Sequence, residues 1–198
     1  MRVVLASGNK GKLRELDSLL APFGFELVSQ STLGIETPPE TGQTFAENAL
    51  LKARYAADAA KLPALADDSG IEVDALCGRP GIYSARYAGE GASDSDNLRR
   101  LLDEMRDVPA PRRTARYRCV IAFVTTAADL GPILASGTWE GTLIEAPRGL
   151  GGFGYDPIFI PRGLDRTAAE LDPLEKNSLS HRGQALRELV AQLQRRDR

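Results

Sequence analysis

The adjacent carboxylates Asp67 and Asp68 are the residues of this chain best suited to chemistry. They follow a short apolar run and precede Ser69 and Gly70. In α/β proteins ligands gather at the carboxyl ends of strands, and carboxylates there suit a hard cation such as Mg²⁺ and, through it, a phosphate. Because side chains alternate along a strand, the pair should point to opposite faces, with at most one facing a ligand. Taken alone, however, the Asp-Ser-Gly run favours a simple turn.

The loop after the first predicted strand is a second candidate, because its residue types suit an anion. Backbone N–H groups at the start of a helix attract negative charge, and lysine adds a mobile positive charge. The spacing is neither that of a Walker A motif nor Gly-x-Gly-x-x-Gly, and an ordinary basic turn explains the composition equally well. The loop contains Ser7, Gly8, Asn9, Lys10, Gly11 and Lys12.

Asn48 and Lys52 form a third group, since residues four apart share one face of a helix. Alanines at positions 49, 53, 56 and 60 form a small apolar stripe beside them. A lysine next to a packed stripe usually extends to water, and a carboxylate in a loop, such as Glu40, is usually solvated. The alternative is that Glu40 supplies a second carboxylate for a metal ion.

The glycine-rich segment 151–156 suits the binding of a flat, polar ring. Its three glycines permit close backbone approach, and Phe153 and Tyr155 offer stacking faces. Asp156 or the backbone would read the polar edges of a heterocycle. The alternative is a tight connection whose aromatic side chains pack into the core, although functional groups often lie on such loops.

His181, the only histidine, lies beside Arg182 just before the last predicted helix. Together at a helix start, these side chains suit a base carbonyl or a phosphate. No Ser/His/Asp order and no Cys/His pair indicates covalent catalysis, and neither Cys77 nor Cys119 has a partner base in the sequence pattern.

Apolar periodicity predicts that these groups are positioned by alternating strands and helices. The first strand, at 3–6, precedes a helix that begins near Leu13. A capping box of Thr44 and Glu47 predicts a helix that runs to about Ala60. Further strands are predicted at 25–28, before the carboxylate pair and at 117–125, a hairpin around Glu140 and Gly141, an apolar stretch at 158–160, and helices near 98–105 and 185–193.

The order β-α-β-α-β followed by a strand-rich half predicts an α/β fold with a mixed sheet. The length of 198 residues suits one domain, or two lobes with a cleft between them. A net charge of −2 provides no basic field for nucleic acid. With two cysteines, no signal peptide and no membrane span in the pattern, we expect a reduced, cytoplasmic protein.

Several motifs occur in order along the chain, and their combination is far more specific than any one of them. They are residues 7–15, 40–42, 44–49, 52–53, 66–70, 80–87, 153–159 and 180–183. With these motifs the chain resembles the Ham1/RdgB family, the inosine/xanthosine triphosphate pyrophosphatases, from residue 3 to about residue 193.

The resemblance implies a homodimeric, Mg²⁺-dependent hydrolase that cleaves noncanonical purine nucleoside triphosphates (ITP, dITP and XTP) to the monophosphate and pyrophosphate. The implied fold is a single ITPase-like domain over residues 1–198, two-lobed, with a long mixed β-sheet flanked by helices and a central cleft. Nucleic acid and membranes are not expected partners.

Carried over residue by residue, the resemblance assigns three roles. Asp68 would accept the proton of the attacking water and, with Glu40, would hold Mg²⁺. The triphosphate would be lined by Ser7, Gly8, Asn9, Lys10, Gly11, Lys12, Lys52 and Ser69. The base would be held by Phe153, Gly154, Tyr155, Asp156, Lys176, His181 and Arg182.

Two alternatives stay open at this point. A Maf-like pyrophosphatase has a related architecture but prefers modified pyrimidine nucleotides, dTTP or UTP, and the segments at 153–156 and 180–183 weigh against it. A catalytically silent nucleotide-binding or RNA-binding module is a different class, and the retained carboxylates and lysines weigh against that class.

Overall fold

Strands and helices alternate through the first half of the chain in this computed structural model, which describes residues 1–20 and 23–196. The strands are β1 (Arg2–Leu5), β2 (Glu26–Ser29), β3 (Ala64–Val73), β4 (Thr114–Val124), β5 (Ile133–Leu143) and β6 (Phe159–Pro161). The helices are α1 (Lys10–Leu20), α2 (Phe45–Ala60), α3 (Asp94–Glu104), α4 (Pro173–Leu179) and α5 (His181–Arg196).

The strands form one six-stranded sheet in the order β2-β1-β3-β4-β5-β6. Strand β1 pairs in parallel with β2 and with β3, whereas β5 and β6 are antiparallel. Parallel neighbours need a crossover connection, and helices α1 and α2 lie in the two connections that join β1, β2 and β3 along the chain. The prediction of an α/β fold with a mixed sheet is therefore confirmed.

Contacts divide the chain into two compact units. The first unit contains Met1–Asp68, Cys119–Gly137 and Arg182–Arg198. The second contains Ser69–Arg118 and Thr138–His181. Each unit has its own buried apolar core, and each is described by itself below.

In the first unit the side chains of β3 alternate between two cores. Leu65 packs in a cluster with Leu16 of α1 and Leu189 of α5. Its neighbours Ala64 and Ala66 pack instead with the alanine stripe of α2. The alternation follows from the period of two along a strand, and the small stripe lets α2 lie close to the strands. Helices from different parts of the sequence thus cover opposite faces of β3.

Aromatic rings dominate the core of the second unit. The rings of Tyr117 and Phe159 meet edge to face with centroids 4.8 Å apart, and Trp139 lies 5.4 Å from Phe159. Leu101 of α3 and Met105, which follows that helix, are fully buried in the same cluster. Such ring pairs favour edge-to-face packing because the ring edge is positive and the face negative.

The predicted cap of α2 is present. The Thr44 hydroxyl accepts a hydrogen bond from the Glu47 amide at 3.1 Å. The Glu47 carboxylate accepts from the Gln43 amide at 2.6 Å. The carboxylate thus satisfies a donor one residue before the N-cap residue.

Three sequence expectations are wrong in local detail. The turn favoured for Asp-Ser-Gly does not form, because β3 continues through these residues to Val73. The hairpin around Glu140 and Gly141 is one continuous strand. Helix α4 was missed, although its N-cap Asp172 accepts from the Leu174 amide at 2.8 Å and a proline follows that cap.

The two cysteines are free thiols, Cys77 exposed and Cys119 buried. Among the described residues, no helix has both the length and the apolar character needed to cross a membrane.

Candidate active site

A buried lysine joins two carboxylates in the first unit. The Nζ atom of Lys52 lies 2.8 Å from Oε1 of Glu40 and 2.9 Å from Oδ1 of Asp68. Lys52 and Asp68 are nearly inaccessible to solvent, and the Glu40 side chain is 21% exposed. We call Glu40, Lys52 and Asp68 the acid–lysine cluster. The expectation that Lys52 extends to water is wrong, because its ammonium finds two partners in the interior.

Asn48 ties the elements of the acid–lysine cluster together. Its Oδ1 accepts from the Gly42 amide at 2.8 Å, and its Nδ2 donates to Oδ2 of Asp68 at 3.3 Å. A side chain at Gly42 would place its Cβ 2.7 Å from the Asn48 amide oxygen, so this contact needs glycine. The predicted shared face of Asn48 and Lys52 is confirmed, since both reach Asp68 from α2.

The charges of the cluster act against the effect of burial. Burial lowers the pKa of Lys52, but the nearby carboxylates of Asp68, Asp67 and Glu40 outweigh it and raise that pKa above its ordinary value. Burial also raises the pKa of Asp68, and Lys52 and Lys12 offset only part of this effect. A carboxylate whose proton affinity is raised is a better proton acceptor than an ordinary aspartate.

Asp67 points into a second network in the same unit. Its Oδ2 lies 3.0 Å from Nζ of Lys12 and 3.3 Å from Nη2 of Arg182. Arg182 also donates to the carboxylate of Glu15. We call Lys12, Glu15, Asp67 and Arg182 the buried ion network. The predicted division is confirmed: Asp68 binds residues of α2, whereas Asp67 binds residues of α1 and α5.

Opposite charges keep Asp67 and Arg182 ionised in spite of their burial. Burial alone would raise the pKa of Asp67, but Lys12 and Arg182 bring it well below its ordinary value. Burial alone would lower the pKa of Arg182, and Asp67 and Glu15 more than reverse that effect. Glu15 was missed by the sequence interpretation. Its spacing of three residues from Lys12 on a predicted helix was the available signal.

The loop at 7–9 leads directly into α1. Oδ1 of Asn9 accepts from the Gly11 amide at 2.8 Å and from the Lys12 amide at 3.1 Å, as an N-cap residue does. Ser7 is buried, and its hydroxyl accepts from the Asn9 amide at 3.3 Å. Gly8 and Asn9 are exposed, and the side chain of Lys10 is outside the described part of the structure. The predicted order of strand, loop and helix is confirmed, but the helix begins at Lys10, so residues 10–12, which were predicted in the loop, are helical.

In the second unit, Asp156 organises the glycine-rich loop. Its Oδ2 accepts from the Phe153 amide at 2.8 Å and from Nζ of Lys176 at 2.7 Å. The same ammonium lies 4.8 Å from the centre of the Phe153 ring, a cation–π distance. We call Phe153, Asp156 and Lys176 the loop cluster. Lys176 comes from α4, so the missed helix supplies one of the predicted site residues.

The rest of this loop is also held by hydrogen bonds within the second unit. The Tyr155 hydroxyl donates to the Ser84 carbonyl at 2.8 Å, and the Gly154 amide donates to Oδ2 of Asp94 at 2.8 Å. Phe153 is only partly buried, whereas Tyr155 is buried in the core. Of the two aromatic rings, Phe153 is therefore the better candidate for stacking on a ligand.

His181 and Arg182 have separate surroundings despite their adjacency in sequence. The His181 ring stacks on Tyr117 with centroids 4.7 Å apart and an interplanar angle of 6°, and it is almost fully buried. The Arg182 guanidinium belongs to the buried ion network, where Asp67 and Glu15 are its partners. The resemblance assigns Arg182 to the base, and in the structure its guanidinium lies beside these two carboxylates.

The acid–lysine cluster fits a hard divalent cation by its chemistry. Among the described residues, no three histidine, cysteine, aspartate or glutamate side chains converge as a metal site. Mg²⁺ nevertheless needs only one or two protein carboxylates, because water and substrate phosphates complete its coordination. Glu40 and Asp68 supply two such carboxylates, and both already converge on a cation, the Lys52 ammonium. Ser69, partly buried, follows Asp68 in β3.

Comparison with known proteins gives matches along nearly the whole chain. The family described as the Ham1 family matches residues 3–192. The dITP/XTP pyrophosphatase of Methylococcus capsulatus is 57% identical over 192 residues, which cover 97% of this chain and 96% of that protein. The dITP/XTP pyrophosphatase of Escherichia coli K12 is 54% identical, with 96% of each chain covered.

Solved structures agree with the sequence matches. The structure of a HAM1 protein from Coxiella burnetii has a TM-score of 0.90 and 45% sequence identity, and the match covers 98% of this chain and 99% of that chain. The Staphylococcus aureus Ham1 protein has a TM-score of 0.85 and 38% identity, with 98% of each chain covered.

Proposed function

This chain belongs to the Ham1 family, and from that premise we propose that it hydrolyses noncanonical purine nucleoside triphosphates such as dITP, ITP and XTP. It is a nucleoside triphosphate pyrophosphatase, as are the curated relatives that match it along almost their full length. The proposed products are the nucleoside monophosphate and pyrophosphate, and the proposed role is the removal of such nucleotides from the cellular pool.

The main support for this reaction is the acid–lysine cluster. Glu40 and Asp68 both lie within 3 Å of one buried ammonium, Lys52. Hydrolysis of a triphosphate needs a proton acceptor for water and positive charge for the phosphate oxygens, and this cluster combines the two. A module that only binds nucleotides has no need for a buried carboxylate with raised proton affinity.

We propose Mg²⁺ as the cofactor, held by Glu40 and Asp68. It would supply positive charge to the phosphate oxygens and favour ionisation of water at the site. Asp68 orients the attacking water and takes its proton, and Asn48 holds the second oxygen of that carboxylate. In the absence of substrate, the Lys52 ammonium partly neutralises the two carboxylates. When substrate is bound, the same ammonium donates to phosphate oxygens.

For the phosphate chain we propose the loop before α1 together with the lysines. A triphosphate carries about four negative charges near neutral pH, and cationic groups must balance them in the transition state. The amides at the start of α1 add partial positive charge. The proposed contacts are Ser7, Gly8, Asn9, Lys10, Gly11, Lys12, Lys52 and Ser69.

For the base we propose the loop cluster and its neighbours. Hypoxanthine and xanthine carry an oxygen at C6, where adenine carries an amino donor. A donor such as the Lys176 ammonium favours the oxygen and leaves an adenine amino group without an acceptor, which is penalised. The proposed contacts are Phe153, Gly154, Tyr155, Asp156, Lys176, His181 and Arg182, the last through its main chain because its guanidinium is occupied by carboxylates.

We further propose that the chain acts as a homodimer in the cytoplasm. Light scattering of the purified protein after size-exclusion chromatography tests the assembly, for which a mass of twice 21.4 kDa is expected. A single-chain mass at working concentration contradicts the homodimer and leaves the proposed reaction unaffected.

A panel of nucleoside triphosphates assayed with Mg²⁺ tests the function. We expect rapid hydrolysis of dITP and XTP with release of pyrophosphate, slow hydrolysis of dATP and dGTP, and loss of activity with EDTA. Release of orthophosphate contradicts the proposed cleavage position. Preference for dTTP or UTP favours a Maf-like activity, and tight dITP binding without turnover favours a silent module.

A further inference from the structure

We propose that Asp67 is a positioning residue that fixes the ammonium of Lys12 for the phosphate chain, with Arg182 and Glu15 holding Asp67 in place. The proposal rests on the proposed function, because it assigns Lys12 to phosphate binding. It gives a task to Asp67, which the proton-transfer chemistry of Asp68 does not use.

All donors to Asp67 converge on one of its two oxygens. Oδ2 lies 3.0 Å from Nζ of Lys12 and 3.4 Å and 3.3 Å from Nε and Nη2 of Arg182. Oδ1 is buried and has no hydrogen-bond partner among the described residues. Lys12 and Arg182 thus share one carboxylate oxygen, and this shared contact links the position of Lys12 to that of Arg182.

Exposure increases from Asp67 and Arg182 toward α1, which carries both Lys12 and Glu15. The Asp67 and Arg182 side chains are 0% and 1% exposed, Glu15 is 14% exposed and Lys12 is 15% exposed. An ordinary structural ion pair gains little from a lysine held at a partly open position, because lysine loses rotamer freedom there. A lysine held for an incoming anion needs such access.

The network closes on itself through α1. Lys12 and Glu15 lie three residues apart on that helix, and both connect to β3, Lys12 directly and Glu15 through Arg182 of α5. The helix start and the head of the lysine side chain are therefore fixed to the same carboxylate. In addition, the Ala6 amide donates to the Leu65 carbonyl at 2.8 Å. Because Ala6 leads into the loop at 7–9, this hydrogen bond attaches the start of the loop to β3.

The charges of the network balance without a ligand. Two cations, Lys12 and Arg182, lie against two anions, Asp67 and Glu15, so each of these charges has a partner of opposite sign before substrate arrives. Asp67 then has two opposite effects on the binding of an anion. Its charge repels the anion, whereas its ion pair with Lys12 holds that lysine in position for the anion. The two effects predict opposite signs when the charge of Asp67 is removed, and this difference makes the proposal testable.

A double-mutant cycle with inorganic tripolyphosphate tests the proposal. Binding is measured by calorimetry, in EDTA and without nucleotide, for wild type, Lys12→Met, Asp67→Asn and the double variant. We expect each single variant to lose affinity by about tenfold, typical of a lost charge-assisted contact. The double variant should lose no more than Lys12→Met alone, because Asp67 acts through Lys12. Unchanged or tighter binding to Asp67→Asn, or additive losses, overturns the proposal.

Activity gives a second readout, with a matched control. For dITP we expect Asp67→Asn to raise KM more than it lowers kcat. Ile133→Ala, in the apolar cluster of the same unit but on β5, which carries no residue of the network, should destabilise the unit and leave tripolyphosphate affinity unchanged. Equal loss of affinity in Ile133→Ala shows that Asp67 is merely structural and overturns the proposal.

If Asp67→Asn fails to fold, Glu15→Gln is tested in its place. Glu15 is partly exposed and is linked to Asp67 through Arg182. We then expect a loss of affinity of about threefold, less than for direct removal, and unchanged affinity overturns the proposal. Failure of wild type to hydrolyse dITP contradicts the proposed function, whereas the tripolyphosphate cycle needs no turnover and tests the positioning role separately.

Discussion

The ammonium of Lys52 lies 2.9 Å from the carboxylate of Asp68, and each side chain is only 6% exposed. A buried pair of this kind links catalysis to stability, because either partner left alone becomes an uncompensated charge in the interior. Two predictions concern this pair, and three concern Asp67, the cysteines and the glycine-rich loop.

Asp68→Asn should abolish most of the activity while the protein stays folded. The amide cannot accept a proton from water, and loss of a general base typically costs about 10²–10⁴-fold in rate. The measurement is kcat for dITP with Mg²⁺, alongside a thermal unfolding curve. Asp58→Asn, at an exposed aspartate of α2, is the control and should keep full activity. Full activity of Asp68→Asn contradicts its role as proton acceptor.

Lys52→Met should destabilise the protein in the absence of Mg²⁺. Glu40 and Asp68 would then face each other without a cation, and we expect the free energy of unfolding to fall by about 3 kcal/mol. Added Mg²⁺ should stabilise this variant more than wild type. Lys61→Met, whose ion pair with Asp58 is exposed, should change stability by no more than about 0.5 kcal/mol. Equal losses in both variants contradict the buried cluster.

Asp67 should make stability sensitive to acid. Burial would raise its pKa, but Lys12 and Arg182 lower it below its ordinary value of 3.8. A group with a lowered folded-state pKa contributes stability above its unfolded pKa, and this contribution is lost as pH falls through the folded value. Urea unfolding of wild type and Asp67→Asn should therefore show a stability difference that is constant above about pH 5 and shrinks below about pH 4. A difference independent of pH contradicts the ionised state of Asp67.

The two cysteines should differ in reactivity. Burial raises the pKa of the Cys119 thiol to about 12, and the thiolate is the reactive form. Ellman's reagent at pH 8 should therefore titrate only the exposed Cys77 in the native protein and both thiols in denaturant. In Cys77→Ser the native signal should vanish. Rapid reaction of two thiols in the native protein would show that Cys119 is accessible.

Gly152, in the glycine-rich loop, and Gly163, outside the proposed site, form a matched pair. Both have left-handed backbone, with φ of +70° and +85°. A Cβ at Gly152 would lie 2.1 Å from Oδ2 of Asp156, whereas no heavy atom lies within 4 Å of one at Gly163. Gly163→Ala should cost only about 1 kcal/mol of backbone strain.

Gly152→Ala should in addition displace Asp156 and raise the KM for dITP. Unfolding curves and initial rates of both variants, measured side by side, check this difference. Equal KM values in the two variants would contradict the organising role of Asp156 in the loop.

The sequence predicted the separation of Asp67 from Asp68 for a reason that holds in any strand, the period of two. It failed where sheet pairing overrides local preference. Asp-Ser-Gly favours a turn in isolation, but β3 continues through it. Gly141 suggested a turn, yet it lies within β5, where a Cβ would be 2.3 Å from the Ile160 carbonyl oxygen.

Contacts between side chains were harder to predict from the sequence than helices and strands. The general tendency of lysines favours exposure of Lys52 to water, although the resemblance assigned it to the triphosphate. Its burial depends on two carboxylates distant in sequence. The guanidinium of Arg182 likewise finds Asp67, 115 residues away, and Glu15, 167 residues away, and no local pattern reports such contacts. The resemblance to a family identified the candidate residues, and the structure shows which of them are paired.

Successive side chains of β3 face different helices. The direction in which each carboxylate points therefore depends on whether an odd or an even number of residues is inserted before it. One residue inserted between Leu65 and Asp67 would turn Asp67 toward Lys52 and leave Arg182 opposite an alanine, so both carboxylates would lose their partners at once. Two inserted residues would restore the facing but shift both side chains along the strand by about 7 Å. The number of residues in this segment is therefore as constrained as their types.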